Sequence, residues 1–395
     1  MVLDIDAASQ TPHETIRPLA LLAMRGCEDM GRMVNNYLLR WTTDPEVDRL
    51  LTFPGYDKNS FLIQADCPRF STGEAKGMIL ESVRGYDLYI LCDVTNYRVT
   101  YPMYGKEAIM SPDDHFSDLK RLIAAAGTKP HRITVIMPYL YEGRQHRRSG
   151  RESLDAAIAL NELYSLGVHN ILTFDAHDPR VQNAVPVASF ENVMPTYQML
   201  KGLLKTYEDI HIDKDHMMVI VPDEGAADRG IYYATMMGLG LGMFYKRRDY
   251  SAIIDGRNPI IAHEYLGESV QGKDIFVPDD ILATGESMLD IARELRRRKA
   301  GRIFLATTFA LFTEGYNVFE QAYKKGLFDQ LFATNLTHLE PQLKERPWFT
   351  EINAAKYIAL LIATLNHDSS ISDLLNPSER IGSLLRRHHA RRQGN

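Results

Sequence analysis

Two aspartates stand at the end of an apolar run and are followed at once by a turn rich in hydroxyls and glycine: Val277-Pro-Asp-Asp-Ile-Leu-Ala-Thr-Gly-Glu-Ser287. A strand that delivers Asp279 and Asp280, then a turn through Thr284, Gly285 and Ser287 that opens a helix, can cradle phosphate. Backbone N–H groups, two hydroxyls and the positive helix end all favour an anion there. The carboxylates cannot hold phosphate themselves. They suit sugar hydroxyls or metal-bound water beside it. A second group is cationic: Lys246, Arg247 and Arg248 come just after the strand-like run GLGMFY. Three adjacent cations at a strand end could clamp a phosphate as charge develops on it. His177 and Asp223 fall at the ends of different strands and could share a Mg²⁺ ion otherwise held by phosphate oxygens and water. Histidine is an unusual Mg²⁺ ligand, so the residues alone favour a structural histidine at 177, with Asp175 placed to orient it. Arg144 and Gln145 offer a bidentate fork that could meet phosphate and an amide beside it, or an exposed charged loop.

The elements that must position these groups are short apolar strands alternating with amphipathic helices. DLYILCDV (87–94), RITVIMPYL (132–140) and VHNILTFDAH (168–177) read as strands in the first half, with helices over 115–127 and 153–167. In the second half MMVIVPDEG (217–225) reads as a strand then a loop, KDIFVPDDILATGES (273–287) as a strand, an acidic loop and a helix start, and RIFLATTFALF (302–312) as a strand, with helices over 229–238 and 287–301. Strands apolar throughout and separated by helices predict parallel sheets, here built twice. The fold expected is α/β, with two doubly wound parallel-sheet domains and ligands at the carboxyl ends of strands. A break falls near Glu191–Pro195. The expected organisation is a polar extension over 1–15, an N-terminal domain over 16–194 and a C-terminal domain over 195–349. A helix within about 350–375 should return to the first domain, because its apolar face needs a partner, and 380–395 is a basic tail.

Composition narrows the class. The 395 residues are 45% apolar and 24% charged, as in a soluble globular protein, and the net charge of −6 argues against a general nucleic-acid binder. The three cysteines form no CxxC pair, and the first residues lack the basic and apolar regions of a signal peptide. No apolar run is long enough to span a membrane. A cytoplasmic protein is expected.

The acidic dyad and its turn resemble the 5-phosphoribosyl-1-diphosphate loop of phosphoribosyltransferase-like families. Further segments are similar to one of them, the ribose-phosphate diphosphokinases: Phe70-Ser-Thr-Gly-Glu74 followed by ESVRG, Arg144-Gln-His-Arg-Arg148 after PYLYEG, Asp175-Ala-His177, Pro222-Asp-Glu-Gly225, Lys246-Arg-Arg248, and Thr337-His338 with Pro347-Trp-Phe-Thr-Glu351. These occur in the family's order from about residue 61 to 375. The resemblance implies transfer of a diphosphate from ATP to C1 of ribose 5-phosphate, with Mg²⁺. It makes Lys246 and Arg248 the catalytic cations, and His177 and Asp223 metal ligands. Arg144 and Gln145 then bind ATP, with Phe70 and Glu74 facing adenine across a subunit contact, so a homo-oligomer is implied. Asp279, Asp280, Thr284, Gly285 and Ser287 bind ribose 5-phosphate.

The sequence departs from the family at Thr72 and His146, each in place of an aspartate, at Ala226 in place of a glycine, at Ala283 in place of a third acidic-loop aspartate, and in a longer segment over 95–111. The first two leave nucleotide preference open. Two other readings compete: a phosphoribosyltransferase, which would have no use for the RQ and KRR segments, and a non-catalytic paralogue that regulates a true synthetase.

Overall fold

A computed structural model describes residues 17–43, 59–248 and 260–393; the extension expected over 1–15 lies outside them. The first half contains β1 (Leu19–Ala23), α1 (Glu28–Thr43), a short ribbon of β2 (Ala65–Asp66) and β3 (Met78–Ile79), β4 (Asp87–Leu91), a hairpin of β5 (Thr100–Met103) and β6 (Lys106–Ile109), α2 (Pro112–Ala126), β7 (Arg132–Ile136), α3 (Asp155–Ser165), β8 (Asn170–Phe174) and β9 (Ser189–Val193). Its main sheet is parallel in the order β1-β4-β7-β8-β9. Side chains alternate between faces along each strand. Leu88 and Ile90 meet α2 and α3 on one face, whereas Tyr89 and Leu91 meet α1 on the other.

The second half contains α4 (Thr196–Thr206), β10 (Met217–Val221), α5 (Ala227–Met237), β11 (Gly240–Arg248), β12 (Ile260–Leu266), β13 (Asp274–Leu282), α6 (Glu286–Arg297), β14 (Ile303–Ala310), α7 (Asn317–Lys324), β15 (Gln330–Thr334) and β16 (Phe349–Ile352), followed by α8 (Ala355–Asn366), α9 (Ser372–Leu375) and α10 (Ser378–Gln393). The sheet order is β12-β11-β10-β13-β14-β15-β16, with β12 antiparallel and the rest parallel. The order therefore reverses between β10 and β13. Such a switch point opens a crevice at the strands' carboxyl ends. Helix α8 leaves this half and covers the first sheet, burying Ile358, Leu361 and Ile362 against Val34, Leu38 and Phe174.

Three local expectations are corrected. The acidic dyad is not in a loop: β13 runs through Asp279 and Asp280 to Leu282, because its pairing with β14 continues to Leu282↔Ala310. The Lys246–Arg248 group is also strand. It pairs antiparallel with β12, Lys246 opposite His263 and Arg248 opposite Ile260. The basic chain end is the helix α10, not a tail. Its Ile381, Leu384 and Leu385 recur at helical spacing and pack into the core shared by α4 and α5.

Candidate active site

The cavity lies at the switch point and measures about 260 Å³. Its floor and walls come from Pro222, Asp223, Gly225 and Ala226 after β10, Arg229 of α5, Asp279 through Met288 at the end of β13 and start of α6, and Arg144 and His177 from the first half. Parallel strands ending side by side put these segments together although they are distant in sequence.

The Thr284–Ser287 turn has the local geometry its residues require. Gly285 adopts φ 81° and ψ 0°, the left-handed region, and a Cβ there would run into the Phe319 ring. Glycine is thus needed twice over. As the α6 cap it has no side-chain acceptor for the first-turn N–H groups, the condition under which a helix start can take an anion. Thr284 Oγ1 makes only a 3.4 Å contact from Glu286 N. After β10, Asp223 Oδ1 accepts from Gly225 N at 3.0 Å, folding the Asp223–Ala226 segment into a tight turn.

Beneath the cavity is a charge network that the sequence did not announce. Arg229, with its side chain 8% exposed, meets three aspartates. Its Nη2 lies 3.0 Å from Asp175 Oδ1 and 3.4 Å from Asp280 Oδ2, and its Nη1 lies 3.9 Å from Asp279 Oδ1. Nε donates to both Asp175 oxygens, at 3.0 and 3.2 Å, and Thr308 Oγ1 adds a 2.6 Å bond to Asp175 Oδ2. Asp175 comes from the first sheet and Asp279 and Asp280 from the second, so one guanidinium ties the two halves together at the site. Burial opposes its charge, but Asp175 and Asp280 outweigh that and hold it protonated. Asp175 sits at φ 39°, a left-handed conformation that aspartate tolerates better than most residues.

The partner of His177 is Asp280 and not Asp175. Nδ1 lies 2.7 Å from Asp280 Oδ2, whereas Asp175 is engaged by Arg229 and Thr308. A carboxylate on Nδ1 fixes the proton there and leaves Nε2 as the basic nitrogen, the arrangement that orients metal-binding histidines. Burial alone would raise the pKa of Asp280. The hydrogen bond from His177 and the charge of Arg229 more than reverse this and hold its carboxyl well below the usual range. Asp279 is driven the other way, by burial and then by the adjacent Asp280 charge. Of the two, Asp279 is the more open, with its side chain 18% exposed against 5% for Asp280.

Among the expected site residues, the cavity gathers Arg144, His177, Asp223, Asp279, Asp280, Thr284, Gly285 and Ser287. It does not include Gln145, Phe70 or Glu74. The Gln145 amide donates to Arg147 O and Ser153 O, within its own loop. Phe70 is 57% exposed on a turn where Thr72 Oγ1 donates to Glu74 Oε2 at 2.9 Å. The longer 95–111 segment supplies the β5–β6 hairpin, which braces that turn through Tyr104 N to Ser71 O. His146 lies beside His177, with ring centroids 5.6 Å apart, and its Nε2 is 3.1 Å from Asp178 Oδ2. Strand β11 continues five residues past Met243, the partner of Val221 at the end of β10. At ~3.3 Å per residue, Lys246 and Arg248 stand on backbone that runs past the end of β10, to the level at which β13 ends and lines the cavity.

The architecture alone defines a class. The chain superimposes on a phosphoribosylpyrophosphate synthetase from Mycobacterium smegmatis with a TM-score of 0.69, covering 89% of this chain and 99% of that one at 20% identity. The shared fold is two phosphoribosyltransferase-like α/β domains. Residues 19–167 match the N-terminal domain of ribose phosphate pyrophosphokinase. A ribose-phosphate pyrophosphokinase of Chromobacterium violaceum is 30% identical over 321 residues, 79% of this chain and 87% of that protein. One from Vibrio parahaemolyticus is 27% identical over the same length, 79% and 91% of the two chains. The chain belongs to the ribose-phosphate pyrophosphokinase family.

Proposed function

We propose that the protein transfers the β,γ-diphosphate of ATP to the C1 hydroxyl of ribose 5-phosphate, giving 5-phosphoribosyl 1-diphosphate and AMP. The observation that carries this reading is the switch-point cavity, where an uncapped helix start, an acidic dyad and an oriented histidine converge. The 5-phosphate binds the N–H groups and hydroxyls of the Thr284–Ser287 turn. Asp279 accepts from the ribose hydroxyls, and Asp280 does so while also fixing His177. The C1 oxygen bonds to the β-phosphorus and releases its proton to solvent, the bond from that phosphorus to the α,β-bridging oxygen breaks, and the electron pair leaves with AMP. Lys246 and Arg248 on the projecting end of β11 neutralise the charge that builds on the diphosphate. Arg144 and Gln145 take the nucleotide side. No side chain is assigned as general base.

Mg²⁺ is the cofactor in this reading. The Nε2 of His177 and the Asp223 carboxylate, both at the cavity, would hold it, with phosphate oxygens and water supplying the remaining oxygen donors that the ion prefers. When bound, the ion supplies charge neutralisation on the phosphates. All three cysteines are free and buried, and among the described residues no helix is long and apolar enough to cross a membrane. Both suit the cytoplasmic location proposed here.

The dyad gives a test with internal contrast. Asp279→Asn should raise KM for ribose 5-phosphate and leave KM for ATP nearly unchanged, because the more open carboxylate faces the sugar. Asp280→Asn should raise both, because it also releases His177 from its orienting partner; for such a supporting group the loss is about 10–100-fold in metal affinity or activity. Steady-state kinetics with each substrate varied will show the split. Equal behaviour of the two variants would remove the assignment.

Phe70 and Glu74 lie outside the cavity and Phe70 is well exposed. We therefore place them at a neighbour's adenine in a homo-oligomer. Sedimentation at assay concentration should find the active species larger than one chain. A fully active monomer would show that each site is complete within one chain.

A further inference from the structure

At the opposite end of β10 from the cavity, the turn that feeds the strand gathers ligating side chains. We propose that His211, Asp213 and His216 form a binding site for a divalent ion of the cobalt–nickel–copper–zinc class. One ligand atom from each residue lies within 4.8 Å of the others.

The trio follows from local structure. Ile210 and Ile212 are 0% and 3% exposed, so the chain is anchored on alternate residues, and His211 is exposed and Asp213 part-exposed between and beyond them. Asp213 then closes the turn. Its carbonyl accepts from His216 N at 3.3 Å and Met217 N at 2.9 Å, and its Oδ1 accepts from Asp215 N at 3.0 Å and His216 N at 3.1 Å. This brings the His216 ring over that of His211, with centroids 4.5 Å apart and planes 24° from parallel. Helix α10 braces the same segment from behind: His388 Nε2 is 2.8 Å from Ile210 O, and His389 Nε2 is 3.2 Å from Ile212 O. A turn held in this way need not be ordered by the ligand, which removes part of the cost of binding.

Both Nδ1 atoms approach the one carboxylate, His216 at 2.7 Å from Oδ1 and His211 at 4.0 Å from Oδ2. A dication seated between them would take the place of the His216–Asp213 hydrogen bond, each imidazole carrying its proton on Nε2, with Asp213 balancing the charge. Two imidazole nitrogens and one carboxylate oxygen select borderline transition metals over Mg²⁺, which prefers oxygen donors and keeps its water. Arg392 is the competitor. Its Nη2 donates to His211 Nε2 and its Nη1 to Ile210 O. When the ion takes Nδ1, the proton moves to Nε2 and Arg392 keeps only the carbonyl. Metal binding is thereby set against one contact of α10.

Cobalt(II) is the probe, added to the full-length protein in excess Mg²⁺ so that sites preferring the harder ion stay occupied. Visible absorption and equilibrium dialysis should find one bound Co²⁺ in the wild type. Both exposed histidines can be changed without disturbing the core. His211→Gln and His216→Gln should each weaken binding at least about tenfold, with far-UV dichroism and AMP formation unchanged. Arg392→Ala should bind Co²⁺ as tightly as wild type or more tightly. Absence of a Co²⁺ equivalent in wild type, or undiminished binding in the double glutamine variant, would overturn the site. Weaker binding in Arg392→Ala would overturn the competition.

Discussion

Arg229→Ala should destabilise the protein by about 3–5 kcal/mol, the range for leaving buried charges without their partner. Three carboxylates, those of Asp175, Asp279 and Asp280, lie within 4 Å of this guanidinium, which is itself almost wholly buried. Alanine leaves them facing one another around a void, and the link between the two sheets is lost with the charge. Arg229→Lys should recover only part of the loss, because an ammonium cannot donate to both Asp175 oxygens while also reaching Asp280. The pH dependence gives the sign. Asp280 has a depressed pKa in the folded protein, so it contributes stability that is present above the ordinary carboxylate value and is lost as pH falls through its folded value. Its depression depends partly on Arg229. Asp279 is raised, so its ionisation opposes folding at neutral pH and that penalty disappears on acidification. The stability gap between wild type and Arg229→Ala should therefore be widest near neutral pH and narrow toward acid. Urea unfolding at several pH values measures this. A loss below about 1 kcal/mol at pH 7, the level of an exposed ion pair, would mean that the network is not a buried one.

Lys246→Ala should cut kcat by about 10²–10³-fold, the scale for removing one preorganised charge-stabilising group. Diphosphate transfer adds negative charge to the β-phosphate and bridging oxygen only as the reaction proceeds. An interaction made chiefly in the transition state lowers kcat without raising KM in step. The fold should survive, since the backbone pairing of Lys246 with His263 does not use the side chain. Steady-state kinetics on the purified, folded variant decides it. A kcat within a few-fold of wild type would make Lys246 a spectator on β11.

Much of this site was legible because its elements are local. The Val277–Ser287 segment carries its strand, dyad, glycine and helix start in eleven consecutive residues, and each is where the pattern placed it apart from the extra strand length. The helix that returns to the first sheet was legible too, since an apolar face demands a partner. What could not be read depends on topology. Nothing near Arg229 in sequence marks it as the counter-charge of three aspartates. It acquires that role because α5 follows β10, and β10 lies at the reversal of strand order beside β13. The same juxtaposition gives His177 to Asp280 across 103 positions in place of the nearby Asp175. Strand β11 outran its apolar core because cationic residues can pair with β12 beyond the point where β10 ends. Helix α10 was obscured by its charge: three apolar residues among many basic ones suffice once α4 and α5 offer a surface.

The central claim is that a diphosphate and not a single phosphoryl group moves. With ATP, Mg²⁺ and ribose 5-phosphate, chromatographic separation of the nucleotides should show AMP appearing in step with 5-phosphoribosyl 1-diphosphate and dependent on the sugar phosphate. Accumulation of ADP instead, or ATP left intact by the folded protein, would contradict the account.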